Sequence, residues 1–485
     1  MRVSDSSDAL PLCVTNCTDV YSIHQCILSY AVIYSLDSIE SFDFSPPTEQ
    51  GAMKIQDIPT EVLLVIFDSG TLDLLQQDDG DQLRVRTASF SLPRLEHVLA
   101  YHLTLSRVCR LWRAILLEHK RAWSYVYLGH RAFLHPNFSA IDILHRSSKH
   151  PISLHCAYTP SSMNWGTRMK RKARSEDMKL FFSPHIHRIG SLRVVGPRVF
   201  VSAILKAFHD HMTFQTPISV SPRSLTRLHL IYRKADPALP EPIQLPGVLA
   251  CLTHLRVCGA TVLPSSQFHF QEVIMEGGAA FLQMVGIHTP IHASAKNFVL
   301  HETFVQGLSS IGAIDPTSIT SLTLSNIRAD RPSHFFPSTP TPSATRAVYT
   351  DFFTSFLNTS IETLRLSKLD QNAIFSLIQV LTQSLAHQRC LDLKDLYIED
   401  LDLEKGDVEL LAKSFPRLSC LELNLKCGQH YFFEVWRNGL PNGEGAWPML
   451  EEVLLNGVRQ KRVLQSRIYS RPVCLSSAGN ILACS

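Results

Sequence analysis

Closely spaced cysteine pairs are absent from this sequence. Its 485 residues include 12 cysteines, but none of them has the Cys-x-x-Cys spacing of zinc sites and redox motifs. Cys13, Cys17 and Cys26 form the closest cluster, which we interpret as free thiols in a reducing compartment. The sequence therefore predicts neither a zinc site nor a disulfide framework.

Long apolar runs are absent as well. The longest candidate, residues 27–36, is broken by two serines and a tyrosine, whereas a membrane-spanning helix needs roughly 20 mostly apolar residues. The first residues, Met1–Asp5, lack the charged-then-apolar order of a signal peptide. We therefore expect no membrane partner and a cytoplasmic or nuclear location.

The sequence has no large excess of charge of either sign. It contains 46 lysines and arginines against 43 acidic residues, a formal net charge of +3, which argues against a dedicated binder of polyanions. The one strong basic run, Arg168–Arg174, has no interleaved aromatic residues for base stacking. We interpret it as a solvated basic loop, with an import signal or a phosphate contact as alternatives, and predict no nucleic-acid partner.

The motifs of common active sites are also missing. We find no Gly-x-Ser-x-Gly elbow, P-loop, His-Glu-x-x-His or dinucleotide glycine fingerprint. His185 and His187 could share a metal, but no third ligand has a sensible spacing. The sequence therefore predicts no catalytic residue, no cofactor and no metal; an enzyme with a cryptic site would need a deep pocket with convergent titratable groups.

Two short runs, 58–67 and 105–113, have the periodicity of amphipathic helices. Each places its apolar residues on one helix face: Val62, Leu63, Ile66 and Phe67 in the first, and Leu105, Val108, Cys109 and Trp112 in the second. Pro59 and Glu61 suit the first turn of a helix. Two such helices are too small to form a core, so their apolar faces need a partner.

These runs, together with the segment 122–128, resemble the F-box in its fungal form. The matching features are the start at Pro59 and Glu61, the Val-Cys-Arg-x-Trp-Arg run at 108–113, and a tryptophan followed by alternating apolar residues at 123–128. Gly70 departs from the family pattern, and residues at about 73–97 are predicted to be an insertion. The alternative is that the two runs are ordinary amphipathic helices of another domain.

A short phrase with apolar residues at its first, fourth and sixth positions recurs from about residue 186. The fourth positions of its copies are Leu192, Leu228, Leu255, Val273, Phe298, Leu322, Leu364, Leu396, Leu421 and Val453. Several spacings, such as the 25 residues from Leu396 to Leu421, fall within the range of roughly 20–29 residues typical of leucine-rich repeats. The phrase predicts short parallel strands with alternate residues pointing inward.

Helical stretches are expected to fill the space between these strands. Ile374, Leu377, Ile378, Leu381 and Leu385 lie on one face of such a helix, and Pro416 and Pro448 are expected to end the helices before their strands. The pattern resembles the leucine-rich repeats that follow F-boxes, although the usual asparagine or cysteine is missing at its offset in most copies. A generic α/β domain with leucine-rich strands is the alternative.

We therefore predict an α/β chain in which a small all-helical F-box precedes an irregular leucine-rich-repeat solenoid of parallel strands with helices. The predicted parts are a poorly ordered leader (1–54), an F-box-like domain (55–128), a linker with a helix, a strand and a basic loop (129–185), a repeat domain (186–458), and a loose tail (459–485) without a partner strand.

The resemblance implies a non-catalytic subunit of a Skp–cullin–F-box ubiquitin ligase. The F-box would bind a Skp-type adaptor, and through it cullin, while the repeats hold an unknown target protein. The adaptor-facing residues it implies are Ile58, Pro59, Leu63, Ile66, Phe67, Val108, Cys109 and Trp112, and Trp123 would close the F-box onto the following segment. The alternative is a scaffold outside any ligase that tethers the adaptor to a partner protein.

Overall fold

The structure is a computed structural model that describes part of the chain. The described residues are 58–82, 94–129, 143–157, 184–214, 225–232, 243–246, 249–264, 266–277, 280–281, 293–305, 314–329, 342–357, 361–386, 393–425, 429–441, 445–450, 452–455, 458–461, 473–475 and 481–483. The chain divides into two compact units, Met1–Ala157 and Tyr158–Ser485, called unit 1 and unit 2 below. The predicted leader, the cluster of Cys13, Cys17 and Cys26, and the basic run at 168–174 lie outside the described residues.

Unit 1 combines helices with a pair of parallel strands. Its elements are α1 (Thr60–Gln82), α2 (Arg94–Val108), α3 (Arg110–Glu118), a 3-10 turn (Ala122–Ser124), β1 (Tyr125–Gly129), a short helix at 143–146, and β2 (Ile152–Ala157). Strand β2 pairs with β1 in parallel, with Val126 opposite Leu154. The helix and strand predicted in the linker therefore both form, and they belong to unit 1.

Helix α1 is longer than the sequence pattern predicted. It runs through Gly70 and on to Gln82, so the first ten residues of the predicted insertion continue the helix, and its last residues begin α2. A β-carbon at Gly70 would overlap the hydroxyl of Tyr101. Glycine therefore lets the side chain of Tyr101, on α2, lie close against α1.

The second predicted helix is in fact interrupted. Helix α2 ends at Val108 and α3 begins at Arg110, because Cys109 has the extended backbone of an N-cap (φ −155°, ψ 171°). Its sulfur accepts a hydrogen bond from the Trp112 N–H at 3.4 Å, which satisfies one of the donors left unpaired at a helix start. The prediction that Leu105, Val108, Cys109 and Trp112 share one continuous helix face is wrong.

Unit 2 alternates strands with helices. Its helices are α4 (Arg198–Phe214), α5 (Pro342–Leu357), α6 (Gln371–Ala386), α7 (Lys405–Ser414) and α8 (Gln429–Asn438). Its strands are β3 (Ile189–Gly196), β4 (Arg227–Tyr232), β5 (Ile243–Leu245), β6 (His254–Cys258), β7 (Thr261–Pro264), β8 (Phe268–Glu276), β9 (Ala280–Phe281), β10 (Ala293–His301), β11 (Phe304–Val305), β12 (Ile314–Asp315), β13 (Ser321–Ser325), β14 (Arg328–Ala329), β15 (Thr363–Ser367), β16 (Asp395–Glu399), β17 (Cys420–Asn424), β18 (Glu452–Leu455), β19 (Val458–Lys461), β20 (Val473–Leu475) and β21 (Ile481–Ala483).

The fourth and sixth positions of every copy of the repeated phrase lie on a strand of one long sheet. The strands follow one another in the order β3-β4-β6-β8-β10-β13-β15-β16-β17-β18, and each neighbouring pair is parallel. The fourth positions lie opposite one another, as in Leu364, Leu396 and Leu421, and all are buried. Stacking equivalent leucines in register buries each one against its neighbours, which is the reason that the phrase repeats.

Six strands of the long sheet, namely β6, β8, β10, β13, β15 and β16, also end in the same way. Each is followed by a residue with positive φ: Gly259, Gly277, Glu302, Asn326, Lys368 and Asp400. The N–H of each donates to a carbonyl on the next strand of the sheet, as Asn326 does to Ser367 at 2.9 Å. The ladder thus extends one residue beyond each strand, and the chain leaves the sheet at the same level every time.

The segments that return between strands differ along unit 2. Helices α5, α6, α7 and α8 pack side by side in chain order behind the later strands. Between β4 and β10, the described return segments include β5, β7 and β9, which form a small parallel sheet of their own. The expectation that helices fill every gap is therefore correct for the later repeats and wrong for the middle ones.

Two details near the C-terminus correct the predictions. Helix α7 ends at Ser414, next to Pro416 as expected, but α8 ends at Asn438, well before Pro448. Strand β19 pairs with β18 in antiparallel fashion, and β20 pairs with β21. The prediction that the tail from Arg459 has no partner strand is wrong, since residues 459–461 belong to β19.

The predicted fold class is confirmed. The chain is an α/β protein whose parallel sheet alternates with helices and does not close on itself, an architecture compatible with a leucine-rich-repeat-like α/β repeat. Within the described residues, no helix is both long enough and apolar enough to cross a membrane.

Candidate functional site

Three of the predicted adaptor-facing residues lie in the core of unit 1. The side chains of Leu63, Phe67 and Trp112 are almost fully buried, and the rings of Phe67 and Trp112 meet edge to face with centroids 5.1 Å apart. Leu63 and Phe67 are four residues apart, so both point from the same side of α1. These three residues hold α1 against the start of α3.

The other predicted residues lie at or near the surface. Pro59 and Val108 are exposed, and Ile58, Ile66 and Cys109 are half-buried. The carbonyl of Pro59 accepts hydrogen bonds from the N–H groups of Val62 and Leu63 at 3.1 Å, so the proline immediately precedes the helix. The predicted set is therefore divided between a core and a surface.

Unit 1 exposes several large apolar side chains, and of these only Val108 belongs to the predicted adaptor-facing set. Val62, Val65, Leu103, Leu111 and Leu117 are all exposed, as is Val108. Outside unit 1, the large apolar side chains exposed among the described residues are Phe375 and Met449. Val62 and Val65 are three residues apart and lie away from the buried stripe of Leu63 and Phe67, which is the signal that could have identified them.

Polar contacts tie the helices of unit 1 together. The Thr71 hydroxyl donates to the Phe67 carbonyl at 2.8 Å, so its oxygen is free to accept from Nε2 of His102, also at 2.8 Å. The pKa of His102 is lowered to about 4, mainly by burial and also by the nearby His119, while Asp68 opposes the shift. His102 is therefore a neutral hydrogen-bond donor at neutral pH.

A second contact links α1 to the end of α3. The imidazole Nε2 of His119 lies 2.8 Å from a carboxylate oxygen of Asp68, whose other oxygen lies 3.6 Å from the guanidinium of Arg121. Asp68 lies in the interior of α1, whereas His119 and Arg121 follow the end of α3. These contacts connect α1 to the residues that follow α3.

Trp123 connects the F-box-like part of unit 1 to the segment that follows it. Its indole N–H donates to the Leu116 carbonyl at 2.6 Å, and its ring lies 5.0 Å from the guanidinium carbon of Arg146. Leu116 lies on α3, whereas Arg146 lies on the short helix at 143–146. The side chain therefore links α3 to the short helix at 143–146.

In unit 2, the candidate surface is the face of the sheet opposite the buried leucines. On each strand of the long sheet, outward positions alternate with buried ones. We use the name strand face for the outward positions of β3, β4, β6, β8, β10, β13, β15, β16 and β17. On it, the guanidinium of Arg256 contacts the carboxylate of Glu276 at 2.9 and 3.3 Å, and the guanidinium of Arg365 lies 4.1 Å over the ring of Tyr397. The surface is rich in polar and charged groups.

The described residues contain no cluster of three or more histidine, cysteine or acidic side chains that could hold a metal. His185 and His187 are therefore not part of such a cluster within the described residues. His269 and Ser294 hydrogen-bond at 2.8 Å across β8 and β10, but this pair is exposed. Burial raises the pKa of the Cys156 and Cys258 thiols, to about 11 for Cys258. Both thiols are protonated at neutral pH, and the thiolate is the reactive form.

Comparisons with known proteins add no relative. No family model matches the chain, and no curated protein matches it. A functional assignment must therefore rest on the residues of this chain: the F-box-like runs, the exposed apolar side chains of unit 1, and the strand face of unit 2.

Proposed function

We propose that this chain is the substrate-recognition subunit of a Skp–cullin–F-box E3 ubiquitin ligase. Unit 1 would bind a Skp-type adaptor, and through it cullin, while unit 2 would hold the target protein. The proposal is supported by the order of the F-box-like features at 58–67, 108–113 and 122–128 and by the repeat-like sheet that follows them. The chain itself would supply no catalytic residue, cofactor or metal.

The observation that carries the proposal is the concentration of exposed apolar side chains on the F-box-like helices. Six of the eight large apolar side chains that are exposed among the described residues lie between Val62 and Leu117. Exposed apolar side chains that cluster in one part of a protein mark interaction sites, whereas single ones are ordinary. Fully burying a side chain of this size contributes roughly 1.5–3 kcal/mol, so several together could offset the cost of association.

The structure leads us to revise which residues would contact the adaptor. Pro59 and Val108 stay in the proposed interface, joined by the exposed side chains Val62, Val65, Leu103, Leu111 and Leu117. Leu63, Phe67 and Trp112 would act indirectly, because they are buried and hold the helices that carry this surface. Ile58, Ile66 and Cys109 would lie at its margin.

Catalysis would then arise from proximity. Holding a target beside the charged ubiquitin-conjugating enzyme raises the effective concentration of its lysines around a thioester made elsewhere. The proposed location is the cytoplasm, the nucleus or both.

Affinity purification of the full chain tests this function. We expect a Skp-type adaptor and cullin to co-purify, and we expect a bound partner to rise in abundance in cells when residues 55–128 are deleted. Adaptor without cullin, together with unchanged partner abundance, would instead support the scaffold alternative. Absence of the adaptor from the purified material would contradict both.

A further inference from the structure

The charges on the strand face are sorted by position along the sheet. At one end, the outward positions of β3 and β4 carry the exposed Arg227 and the half-buried Arg193 and His229, and none of these positions is acidic. At the other end, β16 and β17 carry Asp395, Glu399 and Glu422, and none of their outward positions is basic. The two ends of the same surface therefore have opposite charge.

The strands between these ends separate the charges. On β6 and β8, Arg256 and Glu276 form an ion pair with each other, and Glu272 lies opposite His254. On β10 and β13, the central outward residues are Val299 and Thr323, which are uncharged and opposite one another. Lys296, exposed on β10, and Glu272 on β8 add one charge of each sign, so the middle of the strand face has no net excess of positive or negative charge.

Contacts at the acidic end hold its carboxylates in place. Thr363 donates to Asp395 at 3.1 Å, and Ser367 donates to Glu399 at 3.0 Å. Arg365, between these two, stacks on Tyr397 at 4.1 Å. The two carboxylates on β16 are therefore held by hydroxyl groups of the neighbouring strand β15.

The dimensions of the surface suit an extended polypeptide. Six strand spacings separate β4 from β16, which is about 29 Å at the usual spacing between strands. An extended chain covers that distance with about nine residues. A single linear segment could therefore contact both ends at once.

We propose that the strand face binds an extended segment of the target protein that is acidic at one end, uncharged in the middle and basic at the other end. The acidic end would lie over β3 and β4, and the basic end over β16 and β17. This inference rests on the proposed function only in taking the partner to be the target. A uniformly acidic or uniformly basic segment would meet repulsion at one end of the face.

Binding of synthetic peptides to the purified full chain tests the proposal. The probe is a fluorescein-labelled peptide of about twelve residues with a glutamate block, a serine block and a lysine block, long enough for the span. The control peptide has the same composition with glutamate and lysine alternating. By fluorescence anisotropy, we expect the block peptide to bind at least about fivefold tighter, and the difference to shrink as salt is added. Equal affinities would overturn the proposal.

Two charge reversals locate the peptide on the strand face. Arg227→Glu and Glu422→Lys should each remove most of the preference for the block peptide, since each places repulsion at one end. The matched control is Lys206→Glu, which makes the same charge change as Arg227→Glu on an exposed position of α4. If Arg227→Glu does not fold, Arg227→Gln should reduce the preference in the same direction. A preference that survives Arg227→Glu or Arg227→Gln, or falls equally with Lys206→Glu, would contradict the proposed site.

The outcome can be separated from that of the proposed function. Arg227 and Glu422 lie on unit 2, so neither reversal should change how much adaptor co-purifies with the full chain. Loss of peptide preference with normal adaptor recovery supports the strand-face proposal, whether or not cullin is present. Normal adaptor recovery with no peptide preference in the unmodified chain would leave the ligase proposal standing and remove this one.

Discussion

Unit 1 and unit 2 treat their large apolar side chains in opposite ways. In unit 2, the repeated phrase places a leucine or its equivalent on each of the ten strands from β3 to β18 that carry a copy of it, and the register buries these residues against one another. In unit 1, the short helices bury one stripe and leave others, including Val65 and Leu111, in solvent. A repeated strand therefore completes its own core, whereas the few helices of unit 1 leave apolar side chains exposed.

The comparison extends to what each unit presents. The outward face of unit 2 is polar and carries charge of opposite sign at its two ends, which favours selective contacts. The outward side chains of unit 1 include many apolar ones, which favour a stable interface. One chain thus carries a group of exposed apolar side chains on unit 1 and a polar, charged face on unit 2.

Replacing a buried residue of the long sheet should cause the largest loss of stability. Leu421 is fully buried on β17, between Leu396 and Val453. Leu421→Asp should destabilise unit 2 by more than about 4 kcal/mol, because it removes packing and buries a carboxylate without a partner. Denaturant unfolding followed by circular dichroism would measure the loss.

The neighbouring residue provides the control for Leu421. Glu422 follows it in the chain and points to the opposite face of the sheet. Glu422→Ala should change stability by less than about 0.5 kcal/mol. A melting curve of Leu421→Asp that matches the unmodified chain would show that the assignment of buried and outward positions is inverted.

Acid pH should distinguish the two units. The pKa of His102 is about 4 in the folded chain and 6.5 as a free side chain. Between pH 6.5 and 4, His102 binds a proton in the unfolded state but stays neutral in the folded state. The free energy of unfolding therefore falls as the pH falls from about 6.5 to 4. Over that range unit 1 should lose up to about 3 kcal/mol.

Hydrogen exchange at pH 7.0 and 4.5 would show this loss as weaker protection of α1 and α2 relative to the strands of unit 2. His102→Gln keeps a group able to hydrogen-bond Thr71 but cannot take up the proton, so it should reduce the pH dependence. Equal weakening of both units at acid pH, or an unchanged response in His102→Gln, would contradict the role assigned to this histidine.

A smaller loss of stability should result from changing the positive-φ residues that follow strands of the long sheet. Gly259 has a φ of 70°, and a β-carbon there would lie 3.1 Å from the Tyr232 carbonyl oxygen. Gly259→Val should destabilise unit 2 by about 1–2 kcal/mol or more, since left-handed backbone is costly for a β-branched residue. Lys368→Gly, at an equivalent turn with φ 54°, should have little effect or stabilise slightly. Thermal melting that ranks the two variants the other way would refute the shared turn geometry.

The fold of unit 2 could be predicted well because its signal is local and repeated. Even the weak copies at Val273 and Phe298 lie in register on strands β8 and β10. The short strands β5, β7 and β9 could not be anticipated, because segments that return behind a repeat need only cover its core, and either a helix or a strand does so. The residues with positive φ were missed for a related reason: Lys368 and Asp400 adopt a conformation set by the ladder, against their own preference.

The surface of unit 1 was harder to predict. Helical spacing placed Val62 with Leu63 on one face, but the structure buries Leu63 and exposes Val62. Neighbouring apolar residues on a short helix are compatible with more than one buried stripe, and tertiary packing decides between them. The break at Cys109 was missed because a cysteine is an unusual N-cap and the apolar periodicity continues across it.

The proposal that exposed apolar side chains of unit 1 bind the adaptor can be tested by replacing them and measuring how much adaptor co-purifies. Val65→Asp combined with Val108→Asp changes two exposed side chains of unit 1, and Met449→Asp is the matched control on unit 2. Because all three side chains are exposed, each variant should melt like the unmodified chain. We predict that the double variant loses the Skp-type adaptor in co-purification while Met449→Asp retains it. Full adaptor recovery by a folded double variant would contradict the account.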